Sequence, residues 1–259
     1  MYTDVRMGMR YDYLLSPKPG SDRLFVFFSG DAPRQKFTPP VFQRWTWSEF
    51  FPGSCLYISD PTLQVDDSLG LAWYAGTEEF DPLSVISDTI SGFSRSLGVK
   101  LGSVYTYGSS GGGFAALRIL TFMPEASAVC INPQTDVTAY NNGSVGKFLS
   151  TCFGGRSRKQ IMKDFPERVN LIHHSGSMLG RRIMYIQNEM DRHHYDKHYV
   201  PFCLAMGVIP LHPCGLNGSR IASSINKDGF SSIIFSDRAG HSKAESREAF
   251  ECAMSNLND

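Results

Sequence analysis

The chain has 259 residues, 42% hydrophobic and 19% charged, a composition that excludes a disordered or fibrous protein. Lys+Arg and Asp+Glu both number 25, so the basic face of a nucleic-acid binder is not expected, and a small-molecule or glycan-scale partner is. The length suits a single α/β domain spanning 1–259, and no apolar run of about 18 residues predicts a membrane span.

In chain order, the opening MYTDVRMGMRYDYLLSPKPG scatters charges and lacks the ~7–15-residue apolar core of a signal peptide, so the cytoplasm is the expected compartment. Residues 24–28 (LFVFF) form a continuous apolar run closed by Ser29-Gly30, as suits a strand buried on both faces. Residues 55–59, 104–107, 128–131, 183–186 and 233–235 repeat the pattern, each ending in a small or polar cluster. Between them, Ile86, Ile90, Phe93 and Leu97 share one helical face that ends at Gly98, a C-cap glycine. A second helix, 114–122, follows a glycine-rich turn and stops before Pro124. Alternating strands and helices predict a mostly parallel sheet with helices on both faces. Residues 137–180 depart from this order, with loops, a basic helix-like piece at 156–165 and no core strand. They read as an insertion over the sheet, either in the position of a lid or as an ordinary excursion. Cys55, Cys130, Cys152, Cys203, Cys214 and Cys252 are dispersed without ligand spacing, so they read as buried or incidental thiols.

The informative segment is Gly108-Ser109-Ser110-Gly111-Gly112, a G-x-S-x-G placed after a strand and before a helix, as a nucleophile elbow requires. A serine on so tight a turn needs small residues two before and two after it. Ser110 has Gly on both sides; Ser109 would put Tyr107 at one of these positions, so Ser110 is the expected nucleophile. The following helix aims its first N–H groups at developing negative charge. A competing pattern is Gly111-x-Gly113-x-x-Ala116 with Asp136 20 residues on, the G-x-G-x-x-A form of a dinucleotide fingerprint. It sits behind several strands rather than after the first, and Asp136 follows Asn-Pro-Gln-Thr rather than ending a strand. The P-loop pattern is absent.

A serine hydroxyl needs a histidine to take its proton, and that histidine needs a carboxylate to fix its tautomer. His241 follows a strand and Gly240 and precedes a helix-like tail, where such a base belongs. His173, His174 and His198 lack this context, and His212 between two prolines is the fallback. Asp191 follows the strand at 183–186, with Glu189 and Asp136 as other candidate acids. The 50 residues from Asp191 to His241 include the Pro/Gly/Ser-rich stretch 209–229. The backbone N–H of Gly111, paired with that of Gly30 or Asp31 after the early strand, would form the oxyanion hole. Trp73, Tyr74, Trp45 and Trp47 suit either a pocket or the core. His193 and His194 read as substrate contacts or solvated loop residues. The scheme requires no metal or cofactor.

At the elbow around Ser110, at the acid after the strand ending near Ile186, and at Ala239-Gly240-His241, the chain resembles the α/β-hydrolase superfamily. The resemblance runs over roughly 20–255 and implies an eight-stranded, mostly parallel sheet and acyl-enzyme chemistry. Two departures stand out: Ser29-Gly30 where many members have His-Gly, and the long acid-to-base spacing. Asp60-Pro-Thr-Leu, Leu71-Ala-Trp-Tyr-Ala-Gly, Gly-Ser-Ser-Gly-Gly-Gly-Phe and Ile131-Asn-Pro-Gln-Thr-Asp look like bacterial members associated with glycan or surface-polymer tailoring. The implied activity is hydrolysis of an ester on a glycan or small molecule. The alternatives are an O-acyltransferase with the same triad, a silent binding module, or a dinucleotide-binding protein.

Overall fold

The continuous apolar runs form the middle of one sheet. A computed structural model of the chain describes residues 1–212, 222–225, 229–242, 245 and 247–256. The strands are β1 (Tyr2–Arg6), β2 (Met9–Ser16), β3 (Leu24–Phe28), β4 (Ser54–Ile58), β5 (Val104–Ser109), β6 (Ser127–Ile131), β7 (Ile183–Asn188), β8 (Ala222–Ile225) and β9 (Phe230–Phe235). They join in the order β1-β2-β4-β3-β5-β6-β7-β9-β8, nine among the described residues against the eight implied by the resemblance. From β4 to β9 the neighbours run parallel; β1, β2 and β8 attach antiparallel at the edges.

Alternation within β3 explains why its whole run is apolar. Leu24, Val26 and Phe28 enter one core, while Phe25 and Phe27 enter another on the opposite face. The first core receives helix α1 (Pro82–Ser96), helix α2 (Gly111–Arg118) and much of 137–180. Ala249 and Ala253 of the helix Arg247–Asn256 cover the second, together with Phe51. Burying each such aromatic or aliphatic side chain contributes roughly 1.5–3 kcal/mol. α1 ends as its pattern predicts, with Gly98 at φ +69°.

Residues 137–180 carry helices α3 (Asn142–Cys152) and α4 (Arg158–Asp164). Their Val145, Phe148, Leu149 and Ile161 join the first core, so this excursion is packed onto the domain rather than suspended above it. Arg168 fastens it by donating to the carbonyls of Ala75, Thr77 and Phe80. Cys55, Cys130, Cys152 and Cys203 are buried free thiols and Cys252 is half-buried; Cys214 lies outside the described residues. No helix among the described residues is long and apolar enough to cross a membrane.

Candidate active site

Every parallel strand delivers its carboxyl end to the same rim, where α/β sheets place their ligands. The segments after β3, β5, β6, β7 and β9 therefore converge, and they carry Gly30, Ser110, Gln134, Asp191 and His241 respectively.

Ser110 sits between β5 and α2 at φ +55°, ψ −122°, a conformation a non-glycine residue adopts only when its surroundings impose it. Close approach dictates the flanking glycines. A Cβ on Gly108 would lie 2.3 Å from Gly112 O, and one on Gly112 would lie 2.2 Å from Phe28 O. Ser109 faces the other way, its Oγ accepting from Arg44 at 3.0 Å. Arg44 in turn grips Glu245 through two hydrogen bonds of 3.1 and 3.0 Å, and Tyr107 donates to the same carboxylate at 2.9 Å. The turn is thus braced from behind by residues far apart in sequence.

His241 Nε2 lies 3.0 Å from Ser110 Oγ, and its Nδ1 lies 2.7 Å from Asp191 Oδ2. The other carboxylate oxygen, Oδ1, lies 3.0 Å from His194 Nδ1. Asp191 therefore serves two imidazoles, and their rings stack with centroids 4.0 Å apart and planes 8° from parallel. His194 Nε2 meets Gln134 Nε2 at 2.7 Å, and Gln134 Nε2 donates to Ser110 Oγ at 2.8 Å. The five side chains close a ring: Ser110, His241, Asp191, His194, Gln134.

Burial pushes the Asp191 carboxyl up, but hydrogen bonds from His194 and His241 outweigh it and hold the group below the usual carboxylate range. Burial pushes His194 down to about 4, against the pull of Asp191. Neutral His194 then donates from Nδ1 to Asp191 and accepts at Nε2. Donor atoms of Asp191, His194 and His241 lie within 4.8 Å of one another, so among the described residues these could take a metal ion, although each is engaged in the ring.

The remaining expected residues fall in several places. Gly111 opens α2 beside Ser110. Gly30 N–H donates to Gln43 Oε1 at 2.8 Å, and Asp31 O accepts from Gln43 Nε2 at 2.9 Å; the Asp31 side chain is exposed. Tyr74 departs from the pocket-lining expectation. It is wholly buried, donating from its hydroxyl to Ile58 O and accepting from Ser29 N–H, and so belongs to the core. Trp73 is wholly buried too, yet its Nε1 donates to Gln134 Oε1 at 3.0 Å. His193 is exposed near Tyr140, with ring centroids 6.2 Å apart. Trp45 and Trp47 are exposed, and Trp47 lines a groove of about 380 Å³ with Phe50, Glu245, Arg247, Phe250 and Glu251, apart from the ring.

Of the alternative acids and bases, Asp136 caps the turn at 137–139, accepting from Thr138 N–H at 2.8 Å. Glu189 is buried, and His212 is exposed. Sequence reading missed Gln134 and took His194 as a substrate contact or a solvated loop residue, whereas it is buried in the ring. The available signal for Gln134 was positional: a polar residue just after β6 must lie beside the turn after the adjacent β5.

Similarity to solved structures follows the same architecture. The capsule O-acetyltransferase of Neisseria meningitidis serogroup A matches at TM-score 0.62 and 17% identity, over 99% of this chain and 92% of that one. A glycosylation-associated protein complex (Gap123) from Streptococcus agalactiae matches at 0.63 and 14%, over 98% and 45%. A mutant of the esterase E40 matches at 0.56 and 14%, over 98% and 81%. No family model and no curated protein matches the chain. The fold is α/β-hydrolase-like.

Proposed function

We propose that this chain transfers an acyl group from an ester through a covalent intermediate on Ser110, with His241 as base and Asp191 as its orienting carboxylate. The observation carrying this reading is the line Asp191–His241–Ser110, with contacts of 2.7 and 3.0 Å, ending on a serine held in a strained elbow. Ser110 Oγ attacks the carbonyl carbon as its proton passes to His241 Nε2. The carbonyl electron pair moves onto oxygen, near the Gly111 amide at the start of α2. Collapse expels the alcohol, which takes the proton from His241. Water, deprotonated by the same imidazole, then attacks the acyl carbon; the acyl–Oγ bond breaks, Ser110 Oγ takes the proton back from His241, and the acid leaves. Asp191 keeps the hydrogen on Nδ1, so that Nε2 faces Ser110 as an acceptor.

With water as acceptor, the protein is a serine hydrolase of an acylated glycan or small-molecule ester. A second reading, O-acyl transfer to a sugar hydroxyl by the same residues, draws support from the match to the capsule O-acetyltransferase over most of both chains. A mutant of that protein also matches, in complex with CoA; by analogy an acyl thioester would be the donor here.

Fluorophosphonate labelling with peptide mapping tests the shared mechanism. The expected result is label on Ser110, lost in Ser110→Ala and sharply reduced in His241→Ala. Folded wild type that takes no label sinks the mechanism. Incubation with acetyl-CoA, with and without an oligosaccharide acceptor, separates the readings: free acetate marks hydrolysis, and an acetylated sugar marks transfer.

A further inference from the structure

We propose that the side-chain amide of Gln134 donates a hydrogen bond to the oxyanion, and that Trp73 and His194 are positioning residues that aim it. The inference rests on Ser110 being the nucleophile.

An amide side chain presents an acceptor at one end and two hydrogens at the other, so its orientation decides its chemistry. Three neighbours fix the orientation of wholly buried Gln134. The Trp73 indole is only a donor, and its Nε1 lies 3.0 Å from Oε1; the oxygen is held there and the NH₂ faces Ser110. His194 Nε2, an acceptor because Nδ1 faces Asp191, takes one amide hydrogen at 2.7 Å. The other hydrogen points to Ser110 Oγ at 2.8 Å.

That second N–H is close to where charge will form. When Oγ bonds to the carbonyl carbon, the carbonyl oxygen becomes an alkoxide attached to the same carbon, while the serine proton resides on His241. Oγ, now bonded to carbon, needs the amide hydrogen less than the alkoxide does. Because the amide is already held by fixed partners, turning to the new acceptor requires little reorganisation.

Two other observations favour this role. The Gly30 N–H is engaged by Gln43 at 2.8 Å, which leaves the Asp31 N–H or a side-chain amide such as Gln134 to stand beside Gly111 as second donor. Trp73 and Tyr74 are both held at φ +53°, with Tyr74 N–H donating to buried Asp60 at 2.8 Å. Such strain in bulky residues persists only where the surroundings over-determine it, and here it accompanies the aim of the indole at Gln134.

The test uses p-nitrophenyl acetate turnover together with fluorophosphonate labelling, on wild type, Gln134→Glu, Gln134→Ala and Trp73→Phe, each checked for folding by its melting transition. Gln134→Glu keeps the shape and the acceptor for Trp73 but offers no amide donor, so it rescues a packing role and not a donor role. The expected result is a loss of about 10²–10³-fold in kcat in both Gln134 variants with KM nearly unchanged, and a smaller loss of kcat in Trp73→Phe. Gln134→Glu with kcat within about threefold of wild type, or a change confined to KM, overturns the proposal; should Gln134→Glu not fold, the same criteria apply to Gln134→Ala. Wild type without label on Ser110 overturns the nucleophile reading and this one with it. Label on Ser110 with full turnover in the folded Gln134 variants overturns this proposal alone.

Discussion

Asp191 is asked to hold two imidazoles at once, which makes its charge and its acceptor geometry inseparable. Replacing it by Asn preserves the volume but puts an amide donor opposite at least one ring N–H. His241 is then free to adopt the tautomer that offers Ser110 a hydrogen instead of a lone pair. The expected consequence of Asp191→Asn is a fall in kcat of about 10⁴-fold with modest change in KM, read by steady-state ester turnover. An effect below about tenfold would mean that His194 and the elbow hold His241 without the carboxylate. The meeting of Ser110, Asp191 and His241 was legible because each follows a strand whose end reaches the same rim. Gln134 and His194 were not, since a buried amide and a second imidazole have no spacing of their own. Their meaning depends on the ends of β5, β6 and β7 lying side by side.

At the scale of the element, the strand-to-helix turn has no spare volume. A methyl group on Gly112 would collide with the β3 backbone at Phe28 O, and backbone cannot swing aside as a flexible side chain can. Gly112→Ala is expected to destabilise the fold by about 2–3 kcal/mol and to displace Ser110 enough to abolish labelling. Urea unfolding and fluorophosphonate reaction measure the two effects; unchanged stability would show that α2 can shift away from β3. The central strands were readable because a strand covered on both faces leaves an unbroken apolar run. The edge strands were not: β1 is mostly exposed, and β8 lies in the stretch 209–229, which reads as loop from its Pro, Gly and Ser content. An antiparallel edge takes its stability from ladder hydrogen bonds to a neighbour, and these leave little trace in composition.

For the whole molecule, buried histidines oppose a buried acid. His194 stays neutral down to about pH 4 and His198, also depressed by burial, to about 2. The unfolded chain takes up protons at both from about pH 6.5 downward, so these groups lower stability as pH falls. Asp60 acts the other way: burial raises its carboxyl to about 6, so the folded chain takes up a proton before the unfolded one does, and stability rises as pH falls through that range. With the histidines outnumbering the acid, the net expectation is a loss of stability between pH 7 and 4. The depressed Asp191 adds to that loss only near and below the usual carboxylate range. Chemical denaturation at pH 7 and 4.5 checks the sign, and greater stability at the lower pH would contradict it.

The bracing of the elbow from behind also bears on the timing of synthesis. Ser110 precedes His241 by 131 residues, and Arg44 precedes Glu245 by 201. A growing chain therefore displays Ser110 long before His241, the base proposed for it, and Arg44 long before the Glu245 carboxylate that anchors it behind the turn. On the proposed mechanism, the hydroxyl lacks its base throughout that interval. Reactivity, on the same mechanism, begins only with the arrival of the last strand and the residues beyond it.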